Sequence, residues 1–164
     1  MQKLLALTVS VGVLAVLATW IFGLDPLVAA KFQVWQAFIA WGCHFHSGGK
    51  FIGTRNTIFC MTFGAIVGMA AVLLAGQLGA LGSLAAPVAV GLGAALICLG
   101  SSVSLLAVIP ASVYGFASIA GLILLGKGDG VTPVSALAPT IGSILIGAAF
   151  GYVSEVVAGA LEKK

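Results

Sequence analysis

Residues 4–23 carry no charged side chain, and segments of the same kind recur to the end of the chain. About 20 apolar residues, rising 1.5 Å each as a helix, cross the ~30 Å hydrocarbon core of a bilayer. No other feature limits the fold so sharply. Inside lipid the backbone must satisfy its own N–H and C=O groups, which leaves helices or closed barrels. Long runs without alternation fit helices. Composition agrees: 61% of the 164 residues are hydrophobic and 7% are charged, and the mean hydropathy is +1.23. Soluble domains carry roughly 25% charged residues. A water-soluble fold of this size could not hide so much apolar surface. The predicted class is an all-α, polytopic membrane protein, a single transmembrane domain over residues 1–164 whose first partner is the lipid bilayer.

Six segments emerge. The first, 4–23, follows Lys3 and could imitate a secretory signal, with small residues at Ala29 and Ala30. A signal core is only ~7–15 residues, so the segment reads as a retained first helix. The second, about 27–43, is imperfect, holding Lys31, Gln33 and Gln36. The third covers about 56–76, followed by the glycine-rich link "GQLGALGS". The fourth runs over 84–108 and is interrupted at Pro110; the fifth, 111–126, is short. "KGDGVTP" reads as a turn from its Gly, Asp and Pro, and the sixth segment covers about 134–160. About six spans are expected, two of them broken or short.

Charge serves topology here. The net charge is +3, but scattered basic residues at segment ends make no stripe that could follow phosphates, so no nucleic-acid partner is expected. With the N-terminus inside, the cytoplasmic side collects Lys3, Lys50, Arg55, Lys163 and Lys164, against Lys31 and Lys127 outside. That bias places both termini in the cytoplasm. Three widely spaced cysteines, Cys43, Cys60 and Cys98, make no disulfide framework and read as small hydrophobes.

Many of the 23 glycines fall four residues from another small residue: Gly49 and Gly53, Gly64 and Gly68, and the run Ser143, Gly147, Gly151. Positions four apart share a helix face. Small residues there let helices approach closely and gain van der Waals contact. The third and sixth helices should therefore pack tightly, against each other or against a second copy in a homo-oligomer. The halves 4–76 and 84–160 also follow one plan, long span, short span, long span, in opposite directions. Broken segments at matching places in such halves point to a solute site. The matching pieces are "WGCHFHSGG", with Trp41-Gly42, and "IPASVYGFASIAG", with Tyr114-Gly115. A 3+3 inverted repeat and a chance likeness both remain open.

The polar chemistry gathers in "GCHFHSGGKFIGTRN", residues 42–56, which hold both histidines, a Gly-Gly pair and the only arginine. A metal would need three or four ligands, and Cys43, His44 and His46 are too few and too close. No carboxylate lies nearby, and the four present, Asp25, Asp129, Glu155 and Glu162, are not paired for acid–base work. Neither an enzyme, a metal nor a cofactor is expected. A solute path fits better, because irregular backbone at membrane depth is tolerated where it lines a wet cavity. Its lining candidates are His44, His46, Ser47, Gly48, Gly49, Pro110, Tyr114 and Gly115. The bland alternative is a cytoplasmic loop at the headgroups. Asn56 and Thr57 are candidate caps of the third helix. Glu155 is either an interfacial carboxylate or a proton-coupling group. Ser101, Ser102 and Ser104 either bond back to helix carbonyls or line a polar path.

Gly48-Gly49 after a short second span, Pro110 to Gly115, and Gly147 through Phe150-Gly151-Tyr152 together give a pattern that resembles a bacterial inner-membrane family catalogued as a domain of unknown function, DUF1097. The resemblance covers most of the chain. It implies the bacterial inner membrane as location and brings no catalytic residues with it. The "HFHS" element matches no signature of the family. The expected function is a channel or transporter for a small polar solute. The competing expectation is a scaffold or a subunit of a larger membrane assembly, and a cavity reaching the broken segments separates the two.

Overall fold

The computed structural model describes residues 2–162; Lys163 and Lys164, which entered the charge argument, lie outside them. The described chain is helical: α1 (Lys3–Phe22), α2 (Asp25–Ala29), α3 (Val34–His46), α4 (Lys50–Gln77), α5 (Ala85–Gly100), α6 (Ile109–Leu125) and α7 (Pro133–Glu162). Five stretches are long and apolar enough to cross a membrane: Lys3–Phe22, Lys50–Gln77, Gly79–Gly100, Ile109–Asp129 and Pro133–Glu162. The chain is a multi-pass membrane protein.

The distribution of side chains is what a bilayer selects. Leu4, Val16, Leu99 and Leu125 are exposed, whereas the buried set is dominated by alanine, glycine and small polar residues. Lipid solvates large apolar side chains, so helix association rests on close packing of small ones.

The count of long helices is five rather than six because the second apolar segment is divided. α2 ends in a turn where Lys31 adopts a positive φ of 59°, and Gln33 is extended before α3 begins. At 13 residues, α3 is only about 20 Å long. α7 satisfies the break: Ser143 Oγ accepts the Gln33 N–H at 2.9 Å, and the Phe32 ring lies where a Cβ on Gly142 would stand. Residues 23–49 nonetheless return the chain to its starting end, since Lys3, Lys50 and Glu162 line one pocket. Lys31 Nζ donates to the Asp129 carbonyl, 3.0 Å away, at the opposite end.

The second break also differs from its sequence-based expectation. The fourth helix stops at Gly100 instead of running to residue 108, and Pro110 sits in the first turn of α6. Proline is pre-organised for that position. The unwound piece is 101–108, where Ser101 Oγ donates to the Cys98 carbonyl at 2.7 Å and competes with the helix for it. This break leans on α4: Phe63 stands against Gly100, and Cys60 Sγ lies 3.6 Å from the Leu105 carbonyl.

Two parallel pairs form the centre. A Cβ on Gly64 would run into the Ser112 carbonyl, and one on Gly68 would stand 2.7 Å from Ile119, so α4 and α6 run in one direction. A Cβ on Gly147 would meet the Ala37 carbonyl, and one on Gly151 would stand 2.6 Å from the His44 ring, so α3 and α7 run together. Flanking helices complete the bundle. α1 packs on α7, where Ser10 Oγ donates to the Ser154 carbonyl at 2.8 Å, and α5 packs on α4 around Gly93.

Candidate functional site

The window 42–56 is a helical hairpin and not the open loop that its polarity suggested. α3 continues through His46, α4 starts at Lys50, and Ser47, Gly48 and Gly49 make the turn. Gly48 (φ 108°) and Gly49 (φ 64°) supply left-handed backbone that side chains rarely tolerate. Asn56 Nδ2 closes the turn by donating to the Ser47 carbonyl at 3.2 Å. Asn56 and Thr57 therefore lie within α4, past its start.

His44 has no exposed surface. Its Nε2 lies 2.9 Å from Glu155 Oε2, and its Nδ1 lies 3.2 Å from Thr54 Oγ1. Two glycines make the room. Gly53 lets the main chain of α4 pass the His44 carbonyl, and Gly151 lets the imidazole lie flat on α7. Glu155 is one turn beyond Gly151 on the same face. Its carboxylate also accepts the Lys50 N–H, at the amino end of α4. Unpaired N–H groups and the helix dipole favour a negative charge there. A Cβ on Gly49 would stand 2.5 Å from Glu155 Oε1, so the turn glycine admits the carboxylate.

Beside the neutral pair in which a protonated Glu155 donates to Nε2, two placements keep Glu155 ionised. Thr54 carries one hydroxyl hydrogen and has two neighbours, His44 Nδ1 and the Lys50 carbonyl at 3.0 Å. When it donates to Nδ1, the imidazole is neutral and Nε2–H donates to Glu155. When it donates to the carbonyl, Nδ1–H donates to Thr54 and the ring is an imidazolium against a carboxylate. Both satisfy every polar atom of the ring.

Glu155 is 29% exposed and opens onto a pocket of about 530 Å³. Lys3, Phe45, Lys50, Tyr152 and Glu162 share its wall. One face of the hairpin is thus buried and paired, and the other meets a mixed polar and apolar opening.

The remaining sequence candidates do not join this site. His46 is exposed, and its ring stands edge-on to Tyr114, with centroids 5.8 Å apart. Gly115 packs against the Met61 main chain, and Pro110 is exposed. Ser47 is buried, with its hydroxyl 3.5 Å from Cys43 Sγ. Thr54 and Lys50, which sequence reasoning did not name as lining residues, are part of the site. Among the described residues, no three His, Cys, Asp or Glu side chains converge as a metal site would require.

A family model described as "Protein of unknown function (DUF1097)" matches residues 8–159. No curated protein and no solved structure matches the chain.

Proposed function

Since the chain belongs to the DUF1097 family, whose description assigns no activity, we propose from its geometry that it is a channel or transporter for a small polar solute in the bacterial inner membrane, and not an enzyme. One observation carries the reading. A histidine without exposed surface is bonded at both ring nitrogens, and its carboxylate partner faces a pocket of about 530 Å³. Ionisable groups inside a membrane bundle are expensive, and their usual work is on ion, proton or solute pathways. Glu155 is then the coupling group, with His44 as the proton partner and Gly49 as the residue that admits the carboxylate. The lining shifts toward the hairpin, and His46, Pro110, Tyr114 and Gly115 play a lesser part than their sequence spacing suggested.

Counting residues 23–49 as a sixth crossing puts both termini on one side, and the basic residues near Lys3 and Lys50 make that side cytoplasmic. The packing supports a 3+3 inverted repeat. In each half the break between first and second helix leans on the third helix of the other half, α7 for residues 30–33 and α4 for 101–108. The parallel pairs α4–α6 and α3–α7 exchange under the same operation.

A scaffold or homo-oligomeric subunit is the second reading, favoured by the close main-chain contacts at Gly64 and Gly147. Uptake into liposomes of small amides, acids and sugars, with and without a proton gradient, separates the two. Transport predicts flux in the wild type and its loss in both His44→Ala and Gly49→Leu. Normal flux in both variants would remove the site, and no flux for any solute would leave the scaffold.

A further inference from the structure

Four buried polar groups of the bundle behave unlike the chain's other hydroxyls. Thr8 and Ser143 donate to the carbonyl four residues earlier, each at 2.8 Å, the ordinary behaviour of a helix hydroxyl in an apolar setting. Thr57, Ser112 and Ser118 do not. These three hydroxyls, and the side-chain carbonyl of Gln36, are buried without a hydrogen-bond partner among the described residues. For Thr57 and Ser112 the hydrogen-bonding neighbours at hand are the thiols of Cys43 and Cys60 respectively, and thiols are weak partners. Gln36 is committed on its other side: Nε2 donates to the Ser118 carbonyl at 2.9 Å and to Thr140 Oγ1 at 3.1 Å. Both amide hydrogens are used, and Oε1 is left facing inward as an acceptor. A buried polar atom left unpaired is costly, and two unpartnered atoms with two hydroxyls held only by thiols call for an occupant.

The groups share a direction. Gln36 and Cys43, seven residues apart, lie on one face of α3 about 10 Å from each other. Gln36 reaches α6 and α7, and Cys43 borders Thr57 of α4. The orphaned atoms therefore run for about two helical turns between α3, α4, α6 and α7, ending one residue from His44.

We infer that this interior file binds small uncharged molecules that donate as well as accept hydrogen bonds. Gln36 Oε1 requires an N–H or O–H donor, and the hydroxyls serve either role. The bonded neighbours of Gln36 are a main-chain carbonyl and a hydroxyl, both neutral, so an ion would be left unpaired. Water and small amides or polyols share this chemistry. The inference rests on the transport reading for its biological role, but not for the binding itself.

Thr57→Val and Ser118→Ala decide it. Removing a truly unpaired hydroxyl leaves stability unchanged or raises it, whereas removing one that holds an occupant lowers it. The expected result is a fall in thermal midpoint of about 2–4 °C for each variant. An unchanged or higher midpoint in both overturns the inference. Stopped-flow light scattering on vesicles shocked with glycerol or formamide then identifies the occupant, since shrinkage reads water and recovery reads solute. A recovery slowed at least fivefold in Gln36→Leu assigns a solute, and slowed shrinkage alone assigns water. A wild type that speeds neither phase, with lowered midpoints in the variants, keeps the site as one for structural water and rejects transport instead.

Discussion

His44 and His46 show how much one residue's setting depends on its element. Two positions apart on a helix, they point about 200° away from each other. One is buried between Glu155 and Thr54, and the other is exposed beside Tyr114. In the sequence they read as a pair, because a polar window with Gly-Gly suggests a loop, where helical phase has no meaning. The partner of His44 was legible in part. Gly151 and Glu155 are four apart, one making room and the other making the bond, but nothing local says that α7 meets α3. In Gly151→Val the branched side chain cannot share space with the imidazole, whose Cγ is 2.6 Å from the ideal Cβ. Overpacking of this kind costs about 1–3 kcal/mol. The thermal midpoint should fall by about 2–4 °C for each kcal/mol, and the His44 to Glu155 contact should be lost. An unaltered midpoint, with unaltered imidazole resonances by NMR, would contradict the packing.

The long helices were readable element by element, since α1, α4 and α7 each contain an apolar run near span length and α6 a shorter one. Their ends were less so. α4 begins six residues before its apolar run, at Lys50, because Gly49 turns the chain sharply enough for helix to resume at once. The division of the second segment was hidden, since 27–43 looks like one imperfect span. Its break is paid for by a distant group, Ser143 Oγ, which takes the Gln33 N–H. Ser143 drew notice in the sequence only as a small residue for packing. Its second role gives a prediction: Ser143→Ala keeps the close contact and strands the Gln33 N–H. A fully buried unpaired N–H costs about 1–3 kcal/mol, and the part-buried Gln33 N–H less. Hydrogen exchange at residues 30–34 should accelerate more than at residues 60–70 of α4, and a uniform change along the chain would argue against this tie.

At the scale of the molecule, composition fixed the solvent and left the interior unspecified. Large apolar side chains face outward, and Gln36, Thr57, Ser118, Thr140 and Ser154 are buried. The hydrogen bonds around Ser154, two of them between helices and one within α7, show how such residues tie the bundle. Trp41 Nε1 donates to Ser154 Oγ at 3.1 Å, Ser154 Oγ donates to the Gly151 carbonyl, and Ser10 bonds the Ser154 carbonyl from α1. Such cross-links depend on which helices become neighbours. The pairing α4 with α6 and α3 with α7 is a property of topology that no local spacing encodes. The same pairing brings His44, Glu155 and Lys50 to the end that holds Lys3 and Glu162. The pocket and the hydrogen-bonded His44 and Glu155 then lie at one end of the bundle, where the proposed solute path would open. The most direct measurement of that path is the initial rate of small-solute flux into liposomes carrying wild type or Glu155→Gln, each shown to be folded. The account expects flux above protein-free vesicles in the wild type and at least tenfold less added flux in Glu155→Gln, about 1.4 kcal/mol in the barrier. Equal rates in the two proteins would contradict it.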